Sequence, residues 1–262
     1  MCLFISGVIT PEKTYFLVDN DSHTAIREFF HIMDDVCAPR PINSVNVELV
    51  PIDDNIFNLD PSNWQLNVDQ QEVPEWFTNS VWAFAKQEML LCLEQRAKRR
   101  FYINNQERVT VEDGIYYALN SIVNVTKHAE VHAYGNSKIY ARDRSIVYAY
   151  DNSDISSFDY AIIIRAKDNS TVSLYDHSYC IEAFDRVRIN ANGSSSAKVF
   201  SPEVAVRVDE YAVVRVYIHP KILSREFSIN FNNYQLGIYG RPILDFTYQN
   251  KMFTKDTQLR KE

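Results

Sequence analysis

The stretch EVHAYGNSKIYARDRSIVYAYDNS, from Glu130 to Ser153, repeats one eight-residue pattern three times. In each unit the second residue is aliphatic, the fourth is alanine and the sixth is glycine or aspartate. The same frame, relaxed to nine residues in places, continues from Ile122 to Val214. The aliphatic residues assigned to the second position are Val123, Val131, Ile139, Val147, Ile155, Ile163, Val172, Ile189, Val199, Val206 and Val214.

This pattern predicts a short strand followed by a tight bend in every unit. The second and fourth residues alternate with polar or aromatic ones, which is the period of a strand with one buried face. The sixth position carries residues that tolerate a positive φ and bond their own backbone at a corner. Because so short a strand cannot bury a face alone, units stacked ~4.8 Å apart must share one aliphatic core. The fold predicted is a single-stranded β-solenoid.

The number of units in each coil stays open, since a period of eight permits two or three. With two units per coil, the sixth-position aspartates of alternate units would stack at two separate corners. One corner would hold Asp143, Asp159 and Asp176, and the other Asp151, Asp168 and Asp185.

The rest of the chain lacks the repeat. Taken together, the sequence predicts a mainly β protein with an α+β N-terminal head. We assign residues 1–105 to the head, 106–218 to the β-solenoid and 219–262 to a C-terminal β cap and tail. In the head, one helix is predicted after Ser22 or Thr24 and a second over residues 79–100, because apolar residues there recur at helical spacing.

Composition narrows the classes of partner. The formal charge of −7 argues against a nucleic acid as a direct electrostatic partner, because such proteins need an excess of clustered Lys and Arg. No run of apolar residues is long enough to span a membrane, and no export signal is recognised. The four widely spaced cysteines fit reduced thiols. We therefore expect a cytoplasmic protein without a membrane partner.

Motifs for catalysis or cofactor binding are not found in the sequence. The six histidines have no metal-ligand spacing, and neither a nucleophile elbow nor a Gly-rich phosphate loop occurs. We expect no enzyme activity, no catalytic residues and no cofactor.

Stacked aspartates are the weak candidate for a metal site, because carboxylates in register could bind Ca²⁺. The GGxGxD motif of calcium-binding β-rolls is absent, so turn formation is the expected role. The residues concerned are Asp143, Asp151, Asp159, Asp168, Asp176 and Asp185.

Aromatic residues at the third and fifth positions are the candidate binding site. Stacked outward, they would form a rigid platform for a protein or a sugar. The alternative is cross-strand packing that only stabilises the sheet. The candidates are Tyr134, Tyr140, Tyr148, Tyr150, Phe158 and Tyr175.

The phrase VxAY[DG]NSx resembles the octad repeats of phage and gut-bacterial β-solenoid proteins, which are mostly uncharacterised. The preceding segment SNWQLNVDQQEVPEWF, residues 62–77, is similar to the leaders of that family. Later units, around Ile164 and Ser194, depart from the repeat. The resemblance implies a phage-encoded protein that acts in the host cytoplasm, for example as an inhibitor of a host defence protein.

We therefore predict a non-enzymatic macromolecular binding protein, with another protein as the partner. Two alternatives stay open. One is a carbohydrate-binding or carbohydrate-active β-helix protein. The other is a virion or assembly component that forms homo-oligomers.

Overall fold

A computed structural model describes residues 5–33, 43–201 and 203–217, and the backbone of the strands between 229 and 254. The chain divides into two compact units, Met1–Phe101 and Tyr102–Glu262. It is mainly β with two helices: an antiparallel sheet with helices in the first unit and a β-solenoid in the second. The predicted fold class is confirmed.

The head contains a four-stranded antiparallel sheet in the order β2-β1-β3-β4. Both predicted helices form, and the second has the predicted bounds. Ser22 and Thr78 cap them, each accepting a hydrogen bond from a main-chain N–H of the first turn. The elements are β1 (Ile5–Ile9), β2 (Thr14–Phe16), α1 (His23–Phe30), β3 (Val45–Pro51), a 3-10 helix (Pro61–Asn63), β4 (Trp64–Val68) and α2 (Asn79–Arg100).

The two helices cover opposite faces of the head sheet. On one face, a Cβ added to Gly7 would lie 2.7 Å from the sulfur of Met89 in α2 and 3.3 Å from a methyl of Val47. Asn46 alternates to the other face, where its Oδ1 accepts a hydrogen bond from the buried Arg27 of α1 (2.9 Å). The glycine therefore allows α2 to approach the sheet closely.

The solenoid consists of two parallel sheets, the even sheet in the order β20-β18-β16-β14-β12-β10-β8-β6 and the odd sheet in the order β22-β21-β19-β17-β15-β13-β11-β9-β7-β5. Its strands are β5 (Phe101–Ile103), β6 (Val109–Val111), β7 (Ile115–Leu119), β8 (Ile122–Val125), β9 (Glu130–Tyr134), β10 (Lys138–Ala141), β11 (Ile146–Ala149), β12 (Asp154–Ser157), β13 (Ile162–Ala166), β14 (Thr171–Leu174), β15 (Tyr179–Ala183), β16 (Arg188–Ala191), β17 (Ser196–Val199), β18 (Ala205–Val208), β19 (Val213–Val216), β20 (Ile229–Phe231), β21 (Ile243–Phe246) and β22 (Lys251–Thr254).

Two units form each coil, which resolves the choice that the period left open. From β6 to β19 each strand pairs with the strand two positions away in the chain: β10 pairs in parallel with β8 and β12, and β11 with β9 and β13. Successive units therefore lie on opposite sheets, and residues that share a repeat position stack only with every second unit.

The predicted aliphatic residues are all buried in one continuous core between the two sheets. Val147, for example, lies between Val131 and Ile163 of the neighbouring coils. The frame was wrong at one residue. Val199 pairs with Ala183 at the fourth position, and Ala197 takes the second position beside Cys180, because the pairing shifts register in β15.

The bends join the sheets at two corners. An odd corner follows an odd-numbered strand, and an even corner follows an even-numbered one. From Lys127 to Gly193 every sixth-position residue has a positive φ, between 52° at Asp185 and 65° at Gly193. Aspartate and glycine suit this conformation because both tolerate the left-handed region.

The C-terminal strands extend both sheets beyond the recognisable repeat. β20 pairs in parallel with β18 and β21 with β19, while β22 runs antiparallel to β21. This antiparallel strand ends the odd sheet. Among the described residues, neither helix is long and apolar enough to cross a membrane.

Candidate functional site

The two-unit coil distributes the six predicted aromatic residues over three surfaces. Fifth-position residues of odd strands lie at the odd corner, and those of even strands at the even corner, while third-position residues lie on the outer faces of the sheets. Tyr134, Tyr148 and Tyr150 lie on the odd sheet and at its corner. Tyr140 lies on the even sheet, and Phe158 and Tyr175 lie at the even corner.

On the odd sheet the aromatic side chains form half-buried stacks. His132 stacks between Tyr117 and Tyr148, with ring centroids 5.1 and 4.4 Å apart. Tyr134 stacks on Tyr150 at 4.9 Å. Burial raises the pKa of the Tyr148 and Tyr150 hydroxyls above the ordinary tyrosine value. This packing covers most of each ring.

Tyr140, on the even sheet, has one ring face covered by a cation. The guanidinium carbon of Arg108 lies 3.9 Å from the ring centroid. This is within the range of a cation–π contact, so this tyrosine is a packed residue of the sheet surface.

The even corner carries two stacked aromatic pairs, at the fifth and seventh positions of the same two units. Phe158 stacks on Tyr175 with centroids 5.0 Å apart and planes inclined by 10°. Tyr160 stacks on His177 at 5.2 Å and 19°. The first pair occupies the fifth position of its units and the second pair the seventh. We call these four residues the aromatic edge.

The local backbone explains why these side chains are in register. The N–H of Tyr160 donates to the carbonyl oxygen of Asp143, and that of His177 to the carbonyl oxygen of Asp159, each at 3.0 Å. Between the aromatic positions, the N–H of Asp159 donates to Oδ2 of Asp176 at 3.2 Å. Each coil is therefore tied to the next by main-chain and carboxylate hydrogen bonds at the bend itself.

Exposure distinguishes the even corner from the other aromatic surfaces. Tyr160 is 61% exposed and Tyr175 37%, and Tyr211, in the same column as Tyr160 and His177, is 52% exposed. Within the described part of the solenoid, the other phenylalanine or tyrosine with comparable exposure is Phe200, at an odd corner (37%). The aromatic edge and Tyr211 thus offer the largest exposed aromatic area of the described repeat.

The aromatic edge combines apolar rings with polar atoms. Stacking covers one face of each ring, and the guanidinium of Arg142 lies 4.7 Å from the Phe158 centroid. The tyrosine hydroxyls and the imidazole nitrogens add polar atoms to these rings. Such groups can combine apolar contact with hydrogen bonds to a partner.

The aspartate ladder is engaged in hydrogen bonds to the main chain. Gly135, Asp151 and Asp168 each donate an N–H to the aspartate one coil further on, at 2.8 to 3.2 Å. The even corner repeats this from Lys127 to Asp176. Within the described ranges, no three ladder carboxylates have oxygens within 4.8 Å of one another. The six residues are Asp143, Asp151, Asp159, Asp168, Asp176 and Asp185.

Sequence reasoning missed three residues of this corner: Tyr160, His177 and Tyr211. All three occupy the seventh position of units whose strands belong to the even sheet. Their alignment at one corner becomes visible in the sequence only once two units per coil are assumed. The stacking of His132 on Tyr148 was also missed, because these two residues lie two units apart in the sequence.

The paired parallel sheets, the two-unit coil and the corner ladders define this chain as a β-solenoid protein. No protein-family model, curated protein or solved structure matches the chain.

Proposed function

We propose that the protein is a non-enzymatic binding protein whose aromatic edge contacts another protein. The observation that carries this proposal is the exposure of two stacked aromatic pairs at one rigid corner. Tyrosine is enriched at protein interfaces because it combines a large apolar area with a hydroxyl and little conformational entropy.

Rigidity supports affinity at this corner. The aromatic side chains are held by stacking, and the backbone beneath them by hydrogen bonds between coils. A surface ordered before binding loses less entropy when the partner docks. The exposed tyrosines can therefore act as preformed anchors.

The geometry favours a protein over a sugar. A sugar stacks its C–H groups on an open aromatic face, and Phe158 offers none, because Tyr175 stacks on it and Arg142 lies over its ring. Ring edges and hydroxyls suit the mixed apolar and polar surface of a protein. Binding of a carbohydrate is the alternative that the experiment described below distinguishes.

The resemblance of the octad repeat to phage and gut-bacterial proteins extends the proposal to a partner class. We propose a host protein as the partner and the host cytoplasm as the place of action. Occupation of that protein by a rigid edge would block or redirect it, which is the action of an inhibitor.

The test is affinity capture from host-cell lysate with nuclease present, using the full chain and two matched variants. Tyr175→Glu changes the aromatic edge, whereas Phe200→Glu changes an equally exposed fifth-position aromatic residue at an odd corner. We expect a stoichiometric protein partner that is retained by Phe200→Glu and lost with Tyr175→Glu. Thermal unfolding of both variants checks that each is folded.

Two outcomes would contradict the proposal. If both variants retain the partner equally, the aromatic edge is not part of the interface. A blank capture together with binding on a glycan array would replace the protein partner with a carbohydrate.

A further inference from the structure

The head contains a group of three side chains with metal-ligand chemistry. His23, Glu48 and Asp69 place a ring nitrogen and two carboxylate oxygens within 4.8 Å of one another. They come from three different elements: the start of α1, the middle of β3 and the residue after β4. Among the described residues, no other group of three histidine, cysteine or acidic side chains meets this distance.

The imidazole of His23 is oriented by a bond to the main chain. Its Nε2 lies 3.0 Å from the carbonyl oxygen of Val47. Because a carbonyl oxygen only accepts, Nε2 carries the proton and donates. In the neutral ring this leaves the lone pair on Nδ1, which lies 3.6 Å from Oδ2 of Asp69. Histidine ligands of metal ions commonly donate the N–H of the other ring nitrogen to a main-chain carbonyl in this way.

The spacing fits a small divalent ion. Zn²⁺ bonds to nitrogen and oxygen ligands at about 2.1 Å, so two ligands at a tetrahedral site lie roughly 3.4 Å apart. The 3.6 Å between His23 Nδ1 and Asp69 Oδ2 is close to that separation. One imidazole and two carboxylates would leave a coordination position open for water or another ligand.

Burial and charge also favour an ion at this place. The His23 side chain is only 12% exposed, whereas that of Asp69 is 57% exposed and leaves the group open to solvent. The carboxylates of Glu48 and Asp69 have oxygens within 4.8 Å of each other and repel, and a divalent cation would neutralise both.

We propose that His23, Glu48 and Asp69 bind a divalent transition-metal ion, with Zn²⁺ as the ion that this ligand set suits. This proposal rests on head residues alone and does not depend on the proposed function of the aromatic edge. Bound metal would join α1 to β3 and to the residue after β4. The head would therefore become more stable when the ion binds.

The test is calorimetric titration of the full chain with Zn²⁺ alone. Cys2 and Cys37 are replaced by serine so that their thiolates do not compete. Asp69→Asn and Glu48→Gln each remove one carboxylate ligand, and Glu28→Gln, an exposed residue of α1, is the matched charge control. We expect one equivalent of Zn²⁺, with affinity reduced at least about tenfold in the two ligand variants and unchanged in the control.

Two further readouts report on the site without any activity assay. Zn²⁺ should raise the thermal midpoint of the protein and of the Glu28→Gln variant by similar amounts, and that of Asp69→Asn by clearly less. Co²⁺ in place of Zn²⁺ should give visible absorption without a thiolate charge-transfer band. Absence of saturable binding, or equal affinity in Asp69→Asn, Glu48→Gln and the control, would overturn the proposal.

Discussion

The head and the solenoid bury their apolar residues in different ways. The described core of the solenoid contains almost only valine, isoleucine, leucine and alanine, repeated coil after coil. The head core includes the bulky Trp64 and Met89 and depends on single contacts such as that of Met89 with Gly7. From Val123 to Val216 the buried core of the solenoid contains no aromatic residue, and the aromatic side chains of these coils lie outside the core, where they stack in columns. The repeat that builds the core thus also creates the exposed aromatic surface that we propose binds a partner.

The largest effect is expected for Val147→Asp. The substitution buries an unpaired carboxylate between Val131 and Ile163, which costs roughly 3–5 kcal/mol. The solenoid should unfold locally or completely while the head keeps its own core. Two buried cysteines report this separately, because burial raises the pKa of Cys180 to about 12 and that of Cys92 to about 11.

The measurement is alkylation of the two thiols at neutral pH in a chain without Cys2 and Cys37. Cys180 should become reactive in Val147→Asp while Cys92 stays protected. Lys138→Asp, an exposed change on the even sheet, is the control and should leave both protected. Simultaneous labelling of both cysteines in Val147→Asp would show that the two units do not unfold separately.

A smaller loss of stability, confined to the head, is expected for Gly7→Val. The new side chain would meet Met89 and Val47, and overpacking of this kind costs about 1–3 kcal/mol. Cys92 should become more reactive while Cys180 is unchanged. Gly7→Ala should cost less, because the methionine side chain can shift. Equal stability of Gly7→Val and the unmodified chain in urea would contradict the close packing of α2.

The smallest effect is expected at the aspartate ladder. Asp168→Ala removes the carboxylate that accepts the N–H of Asp151, at a net cost of about 0.5–1.5 kcal/mol. Asp168→Asn keeps an acceptor oxygen and should cost less. Urea unfolding of the pair measures the difference. Alanine also tolerates the positive φ of residue 168 less well than asparagine does, so equal stability of the two variants would show that neither the hydrogen bond nor the backbone preference contributes measurably.

The sequence was sufficient to predict the solenoid because the period of eight, the aliphatic second position and the corner aspartates all indicate the same local structure. It could not predict the site in full, because the same period is compatible with two or three units per coil. That number decides whether Tyr160 meets His177, and whether Phe158 shares a surface with Tyr134.

The head lacked an equivalent signal. Its helices were predictable from apolar spacing, but His23, Glu48 and Asp69 are distant in the chain and follow no local pattern. They come together through antiparallel pairing of β3 with β4 and through the position of α1, which depend on tertiary packing. Likewise, the approach of Met89 to Gly7 is a contact between distant segments.

The most direct test is a pair of engineered disulfides that measures the number of units per coil. Lys138 and Asp154 are register partners on β10 and β12, and neighbouring strands lie about 4.8 Å apart, a separation that a disulfide can span. In a chain without Cys2 and Cys37, Lys138→Cys with Asp154→Cys should therefore form a disulfide under mild oxidation. Lys138→Cys with Ile162→Cys should not, because Ile162 lies on the odd sheet. Efficient closure of the second pair and failure of the first would indicate three units per coil and would separate the residues of the aromatic edge.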